Sequence, residues 1–294
     1  MGDNNTPQQQ QPPRLVPRPL EGKLGIISGA SRGIGAAVAR NLAAKGCSLV
    51  LNYTSTASDA AAAQLAEELS STHGVRAVPV RADISSEPGC AAIVEAAKGI
   101  APAQLRVDVL INNAGVQSKA FLGELKVDEF ERVYRINVLG TMLLTQAVLP
   151  FLPWDRSGRI VNMSSIVNSQ GMVGYSIYGG TKGAIEAMTR VWAKELAERA
   201  TVNAVNIGPT MTDMYQDIPI EILAEVLESY MPTAPLAKVR DTDTDRMKWF
   251  AQKLGGRPGY AEEVAGVVGM LCSPDSSWTT GDLVGANGGG RVSY

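Results

Sequence analysis

The sequence predicts an α/β fold in which a parallel sheet is covered by helices on both faces. Three observations carry that expectation. Short apolar runs alternate with amphipathic stretches from about residue 22 onward, the first run ends in a glycine-rich turn, and later runs end in polar residues. Strands buried on both faces read as continuous apolar runs, and the helices that cross between them read at a helical period.

The elements follow in order. "KLGIISG" (23–29) is an apolar run ending in Gly, hence a strand and a turn, and "IGAAVARNLAAKG" (34–46) is a helix with a Gly stop. "CSLVLNY" (47–53) is the second strand and the Ala-rich 57–73 the second helix. "RAVPVRAD" (76–83) and 87–99 repeat the unit. "VDVLINNAG" (107–115) is a fourth strand ending in polar residues, and one long helix is expected over roughly 127–152. "GRIVNMSS" (158–165) is the fifth strand, 174–199 another long helix and "TVNAVNIG" (201–208) the sixth strand. A last helix over 261–272 and a seventh strand in "DLVGANGG" (282–289) complete the pattern. Residues 209–257 break the rhythm with four prolines and the charged "RDTDTDR", as an insertion that is either a lid beside the site or a surface excursion. No internal linker is visible, so 22–294 reads as one domain behind a Pro/Gln-rich disordered tail, 1–21.

Composition narrows the function. At 294 residues with 45% hydrophobic and 19% charged, the chain can bury a sizeable core, and a net charge of -2 with scattered Lys and Arg offers no nucleic-acid surface. Cys47, Cys90 and Cys272 lie far apart, which fits neither a zinc spacing nor a disulfide framework, and His73 is the only histidine; no metal site is expected. No run is long and apolar enough to span a membrane, and no secretory leader is visible, so a cytoplasmic enzyme is expected. "MGDNNT" matches the loose myristoylation pattern at Gly2, but it lacks the basic cluster that stable anchoring needs.

The chemistry sits at strand ends. "SGASRGIG" (28–35) places Gly29, Gly33 and Gly35 between a strand and a helix, where glycines admit a pyrophosphate and the helix start offers free N–H groups. The spacing is G-x-x-x-G-x-G, not the G-x-G-x-x-G of the dinucleotide fingerprint. "NNAG" brings Asn112 and Asn113 to the same edge, as cofactor contacts or as turn formers; Asp83 ends the third strand, as a cofactor contact or as a helix cap. Ser164 and Ser165 end the fifth strand, and Tyr178 and Lys182 stand one turn apart on the next helix. A phenol is too weak an acid for neutral pH; an ammonium one turn away is expected to lower its pKa, and a serine hydroxyl could hold a carbonyl oxygen against it.

These motifs together, in this order over about 22–290, resemble the short-chain dehydrogenase/reductase family, and the "LNYTST" and "ANGG" segments are similar to fungal ketoreductases of secondary metabolism. The resemblance implies a Rossmann-type three-layer sandwich with a seven-stranded parallel sheet. It also implies a tetrad of Asn137, Ser165, Tyr178 and Lys182. Tyr178 would be the general acid, Ser165 would orient the carbonyl, Lys182 would bind the ribose, and Asn137 would hold a relay water. The Ser-to-Tyr spacing selects Ser165 over Ser164. The cofactor contacts implied are Gly29, Ser31, Arg32, Gly33, Ile34 and Gly35 in the glycine loop, then Asp83 and Ile84 beside the adenine. Asn113, Ala114 and Gly115 would surround the adenosine ribose, and Thr210 and Thr212 would approach the carboxamide. The sequence departs from the family at Ile207, where Pro is usual, and at Gly179 and Gly180, which could alter how the nicotinamide pocket closes.

The expected cofactor is NADP(H). The second strand ends in Asn52, Tyr53 and Thr54 without the carboxylate that would bond a ribose 2′-hydroxyl, and Arg32 adds a cation. The function expected is reduction of a carbonyl, or the reverse alcohol oxidation, on a mainly apolar small molecule. Imine reduction, epimerisation and a non-catalytic sensor or scaffold are the alternatives. A homo-oligomer, a tetramer, is expected because the two long helices carry more than one apolar stripe: Val138, Leu139, Met142, Leu143 and Leu144, then Ile185, Met188, Val191 and Trp192.

Overall fold

Why Ile26 and Ile27, neighbours in one short strand, are both fully buried is answered by the sheet they sit in. In a computed structural model, which describes residues 18–216, 218–228 and 230–290, that strand is β1 (Leu24–Ile27), at the centre of a seven-stranded parallel sheet. Successive side chains of a strand point to opposite faces, and both faces here are covered. Ile27 joins Leu49, Leu51 and Ile111 against helices α1 (Gly33–Ala44) and α2 (Asp59–His73) on one side. Ile26 joins Val50, Leu110 and Ile160 on the other, against α3 (Glu87–Ile100). Full burial of such a side chain contributes about 1.5–3 kcal/mol.

The other strands are β2 (Ser48–Tyr53), β3 (Ala77–Arg81), β4 (Val109–Asn112), β5 (Gly158–Met163), β6 (Ala200–Ile207) and β7 (Leu283–Ala286). Their order is β3-β2-β1-β4-β5-β6-β7, so the chain runs outward from β1 to β3 and returns to pair β4 with β1. Between β1 and β4 the winding reverses, which opens a crevice at the carboxyl ends of the strands.

The helix expected over 127–152 is interrupted. It comprises α4 (Val127–Tyr134), a π-turn over Arg135–Leu139 in which the Gly140 N–H reaches back to the Arg135 carbonyl, and α5 (Gly140–Val148). Asn137 in the turn is wholly buried; its Oδ1 accepts from the Val116 N–H and its Nδ2 donates to the Val116 carbonyl, each at 2.9 Å. Widened turns of this kind gather at functional sites. After β5 come α6 (Val167–Gln170) and the long α7 (Ser176–Glu195).

Residues 209–257 form α8 (Asp213–Gln216), α9 (Ile220–Leu227) and α10 (Asp245–Leu254) around a third apolar cluster that includes Ile166, Leu223, Leu227 and Phe250. The final helix, α11 (Ala261–Leu271), packs on α1's side of the sheet.

Three expectations are corrected by packing. The tail 1–21 lies mostly outside the described residues, but Leu20 is in the core and its N–H donates to the Lys45 carbonyl at 2.9 Å, so the folded unit starts before 22. Of the helix residues expected to form a second apolar stripe, Leu144 and Ile185 are buried within the protomer, whereas Leu139, Met142 and Val191 are exposed. Gly180 does not shape the crevice: a Cβ there would meet the Tyr134 hydroxyl at 2.4 Å, on the side of α7 that packs against α4, and Gly179 has no contact tighter than 3.6 Å. No helix among the described residues is long and apolar enough to cross a membrane.

Candidate active site

The crevice holds a cleft of about 410 Å³ lined from the glycine loop, past the ends of β4 and β5, to α8 and α9. At the loop, Gly29 adopts φ +64, a left-handed conformation that side chains disfavour, and a Cβ on Gly35 would lie 2.2 Å from the Gly29 carbonyl. Arg32, at the N-cap of α1, makes no capping bond, and the first turn carries no acid. Gly29, Ser31, Arg32, Gly33, Ile34 and Gly35 all line the cleft. An uncapped helix start with a positive dipole end and no competing carboxylate in its first turn fits a pyrophosphate.

Asn113, Ala114 and Gly115 line the cleft too, but the Asn113 side chain is turned into the protein. Its Nδ2 donates to the Ser28 and Gly29 carbonyls, both at 2.9 Å, so it braces the loop. At the far end of the cleft stand Tyr53, Thr54, Asp83 and Ile84. Asp83 does not cap α3. Its Oδ1 accepts from the Ser85 N–H at 2.9 Å, while Ser86 caps the helix by accepting from the Gly89 N–H at 3.2 Å. Asn52 is corrected: it is 1% exposed, absent from the cleft wall, and its amide donates to the Ala82 carbonyl at 2.8 Å. Alternation along β2 turns Asn52 away and Tyr53 toward the cleft, and Thr54 lies past the end of the strand, where the chain bends along the cleft. Ser55 and Ser58, which sequence reasoning missed, complete that end; the polar run "TSTAS" was their signal.

At the centre, β5 and α7 bring Ser165, Tyr178 and Lys182 to one wall. The two serines part company. Ser164 Oγ donates to Glu186 Oε1 at 2.6 Å, whereas Ser165 Oγ accepts from the Val167 N–H at 3.3 Å and is hydrogen-bonded to the Tyr178 hydroxyl. Lys182 is buried, with Nζ donating to the Met163 carbonyl at 2.7 Å and standing 5.5 Å from the centre of the Tyr178 ring. In the protein alone the ammonium does not set the phenol's pKa. Burial pushes Tyr178 up to about 12, the Ser165 hydrogen bond opposing it only in part, and burial brings Lys182 down to about 8. Asn137 does not reach the cleft wall; its Nδ2 also donates to Thr181 Oγ1 at 3.1 Å, which ties the π-turn to α7 one residue before Lys182.

Thr210 and Thr212 close the cleft from the other side, Thr210 Oγ1 donating to the Gly208 carbonyl at 2.9 Å. The Ile207 carbonyl accepts from the Ile166 N–H at 3.0 Å and so pins the chain just after Ser165. Met214, Tyr215, Ile218, Leu223 and Leu227 of the 209–257 segment line the cleft, and no sequence motif marks them.

A model of the short chain dehydrogenase family matches residues 23–222. The chain is 49% identical to an L-xylo-3-hexulose reductase of Hypocrea jecorina, over 94% of this chain and 99% of that one. It is 47% identical to an L-xylulose reductase of Aspergillus niger, over 92% and 98%. Among solved structures it resembles a blue fluorescent protein from a metagenomic library in complex with NADPH, with a TM-score of 0.78 and 32% identity over 93% of this chain and all of the other.

Proposed function

The chain belongs to the short-chain dehydrogenase family, and from that premise we propose that it is an NADPH-dependent reductase of the keto group of a ketopentose or ketohexose. The observation that carries the chemistry is that Ser165, Tyr178 and Lys182 line one cleft with the uncapped start of α1. The choice of substrate leans on two ketose reductases that match this chain nearly end to end.

The reduced cofactor, when bound, supplies the hydride. The residues then divide the remaining work. The loop glycines Gly29, Gly33 and Gly35 admit the pyrophosphate, Arg32 meets the 2′-phosphate, Asp83 and Ile84 flank the adenine, and Thr210 and Thr212 meet the carboxamide. The Ser165 hydroxyl and the Tyr178 hydroxyl hold the substrate carbonyl oxygen between them. Tyr178, kept protonated by its burial, donates its proton to that oxygen as negative charge develops there. Lys182 bonds the ribose and favours the phenolate left behind. The Asn137 side chain is spent on Val116 and Thr181 and its carbonyl accepts from Thr141 Oγ1 at 2.8 Å, so in this protein Asn137 acts by tying the π-turn to α7 rather than by holding a relay water. Residues 209–257 serve as the substrate-side lid, and three buried free thiols accord with a cytoplasmic location.

A second reading, reduction of an apolar ketone in secondary metabolism, draws on the wall formed by Ile166, Val167, Met172, Ile218, Leu223 and Leu227. NADPH oxidation measured with L-xylulose, other ketoses and plain ketones of equal length separates the two. The ketose reading requires the hydroxylated substrates to have the higher kcat/KM, and a preference for plain ketones would reject it.

A further inference from the structure

Tyr215 lines the substrate end of the cleft and carries a feature that packing does not explain. Its ring belongs to the third apolar cluster, 6.0 Å from the Phe250 ring, together with Ile166, Leu223 and Leu227, which share the cleft wall. Its hydroxyl is buried and has no hydrogen-bond partner; among the described residues it is the only cleft-lining side chain of which this is true. An unpaired buried hydroxyl is unfavourable by a factor of roughly ten to a hundred, and a phenylalanine would fill the same apolar space without that cost. Burial also holds the phenol well above its ordinary range, so it stays a neutral O–H at any working pH.

The cluster joins this ring to Ile166, the residue after Ser165, so Tyr215 lines the cleft beside the segment that carries the serine. We infer that Tyr215 is a specificity-determining residue whose hydroxyl pairs with a hydroxyl of the substrate, so that the lid selects hydroxyketones over plain ketones. This rests on the ketose reading and assigns one residue of this chain to it. Discrimination of this kind arises because a plain ketone leaves the phenol unpaired, whereas a hydroxyketone satisfies it.

The test compares wild type and Tyr215→Phe with L-xylulose and with pentan-2-one, at saturating NADPH. The expected result is a loss of about ten- to a hundredfold in kcat/KM for L-xylulose, mostly in KM, with pentan-2-one unchanged. The free Tyr215→Phe protein should melt no lower than wild type, since an orphaned hydroxyl is removed. Equal losses on both substrates would mean that Tyr215 only packs, and no loss on either would mean that its hydroxyl touches nothing; both overturn the inference. A wild-type preference for pentan-2-one would sink the ketose reading together with this one. A wild-type preference for L-xylulose that Tyr215→Phe leaves undiminished would sink this inference alone.

Discussion

The Lys182 ammonium donates to the Met163 carbonyl oxygen at 2.7 Å, tying the middle of α7 to the last residue of β5. The bond does not offset the burial of the charge, since the pKa falls from 10.5 to about 8. That difference corresponds to roughly 3 kcal/mol of destabilisation at neutral pH. The sign follows from proton counting. Below pH 8 both folded and unfolded chains carry the proton and the penalty is complete. Between about 8 and 10.5 only the unfolded lysine stays charged, so the penalty fades as pH rises. Lys182→Met should therefore melt higher than wild type by the equivalent of about 1–3 kcal/mol at pH 7, with the gap closing by pH 10, while activity is lost. Thermal melts of the free protein at the two pH values check this; a variant that melts lower at pH 7 would contradict it.

Tyr178→Phe removes the proton donor and leaves the glycine cradle untouched. Turnover should fall by about a hundredfold to ten-thousandfold, with NADPH affinity nearly unchanged. Because burial raises the phenol to about 12, its protonation should not limit ketone reduction anywhere between pH 5 and 8. Steady-state rates beside a fluorescence titration with NADPH measure both halves. Retention of more than about a tenth of the activity would rule out Tyr178 as the general acid.

The serines give an internal control. Ser165→Ala deletes the hydroxyl bonded to Tyr178 and should cost about a hundredfold in kcat. Ser164→Ala deletes a bond to Glu186 on the protein's side and should cost less than about threefold in kcat, with a small loss of stability. Equal effects on kcat would overturn the division of roles.

Much of this was legible in the sequence, and the gaps have physical causes. The strand runs, the glycine turn and the Tyr178–Lys182 spacing are local patterns, fixed by periodicity along the chain. Asn52 was misread because a side chain's face on a strand flips with each residue, and nothing in "LVLNYTST" says which residue points outward. The π-turn at Asn137 was invisible because its cause is a pair of bonds to Val116, a tertiary contact. The direction of the Tyr178 pKa was missed for the same reason: the attraction of Lys182 can be read from spacing, whereas burial by distant segments cannot. Tyr215 carries no motif, and its unpaired hydroxyl exists only once the 209–257 segment has packed.

The protein should assemble with itself, as a tetramer. Leu139, Met142 and Val191 are 39%, 45% and 52% exposed on the helices that flank the second core, and large apolar groups in such rows call for cover. Leu139→Glu with Met142→Glu should yield a smaller species by light scattering. A wild type that is monomeric at micromolar concentration would reject the assembly.

Cofactor choice rests on the end of β2. Tyr53 and Thr54 line the cleft beside Ser55 and Ser58, and the Thr54, Ser55 and Ser58 hydroxyls can donate to a 2′-phosphate there, while the Tyr53 hydroxyl pairs with Asp59. Arg32 stands at the start of α1, 69% exposed and 3.4 Å from Asp213, a contact too open and too long to hold the guanidinium firmly. Arg32→Ala should raise the KM for NADPH by about tenfold and leave that for NADH nearly unchanged, since only the phosphate is lost as a partner. A carboxylate placed in the wall should repel the phosphate, and the choice of position is itself a test. Thr54→Asp should shift kcat/KM toward NADH, whereas Asn52→Asp, set against the Val80 and Ala82 carbonyls that the amide now bonds, should instead cost stability with little change in preference. A wild-type preference for NADH, or a preference moved by Asn52→Asp and not by Thr54→Asp, would refute this account of the site.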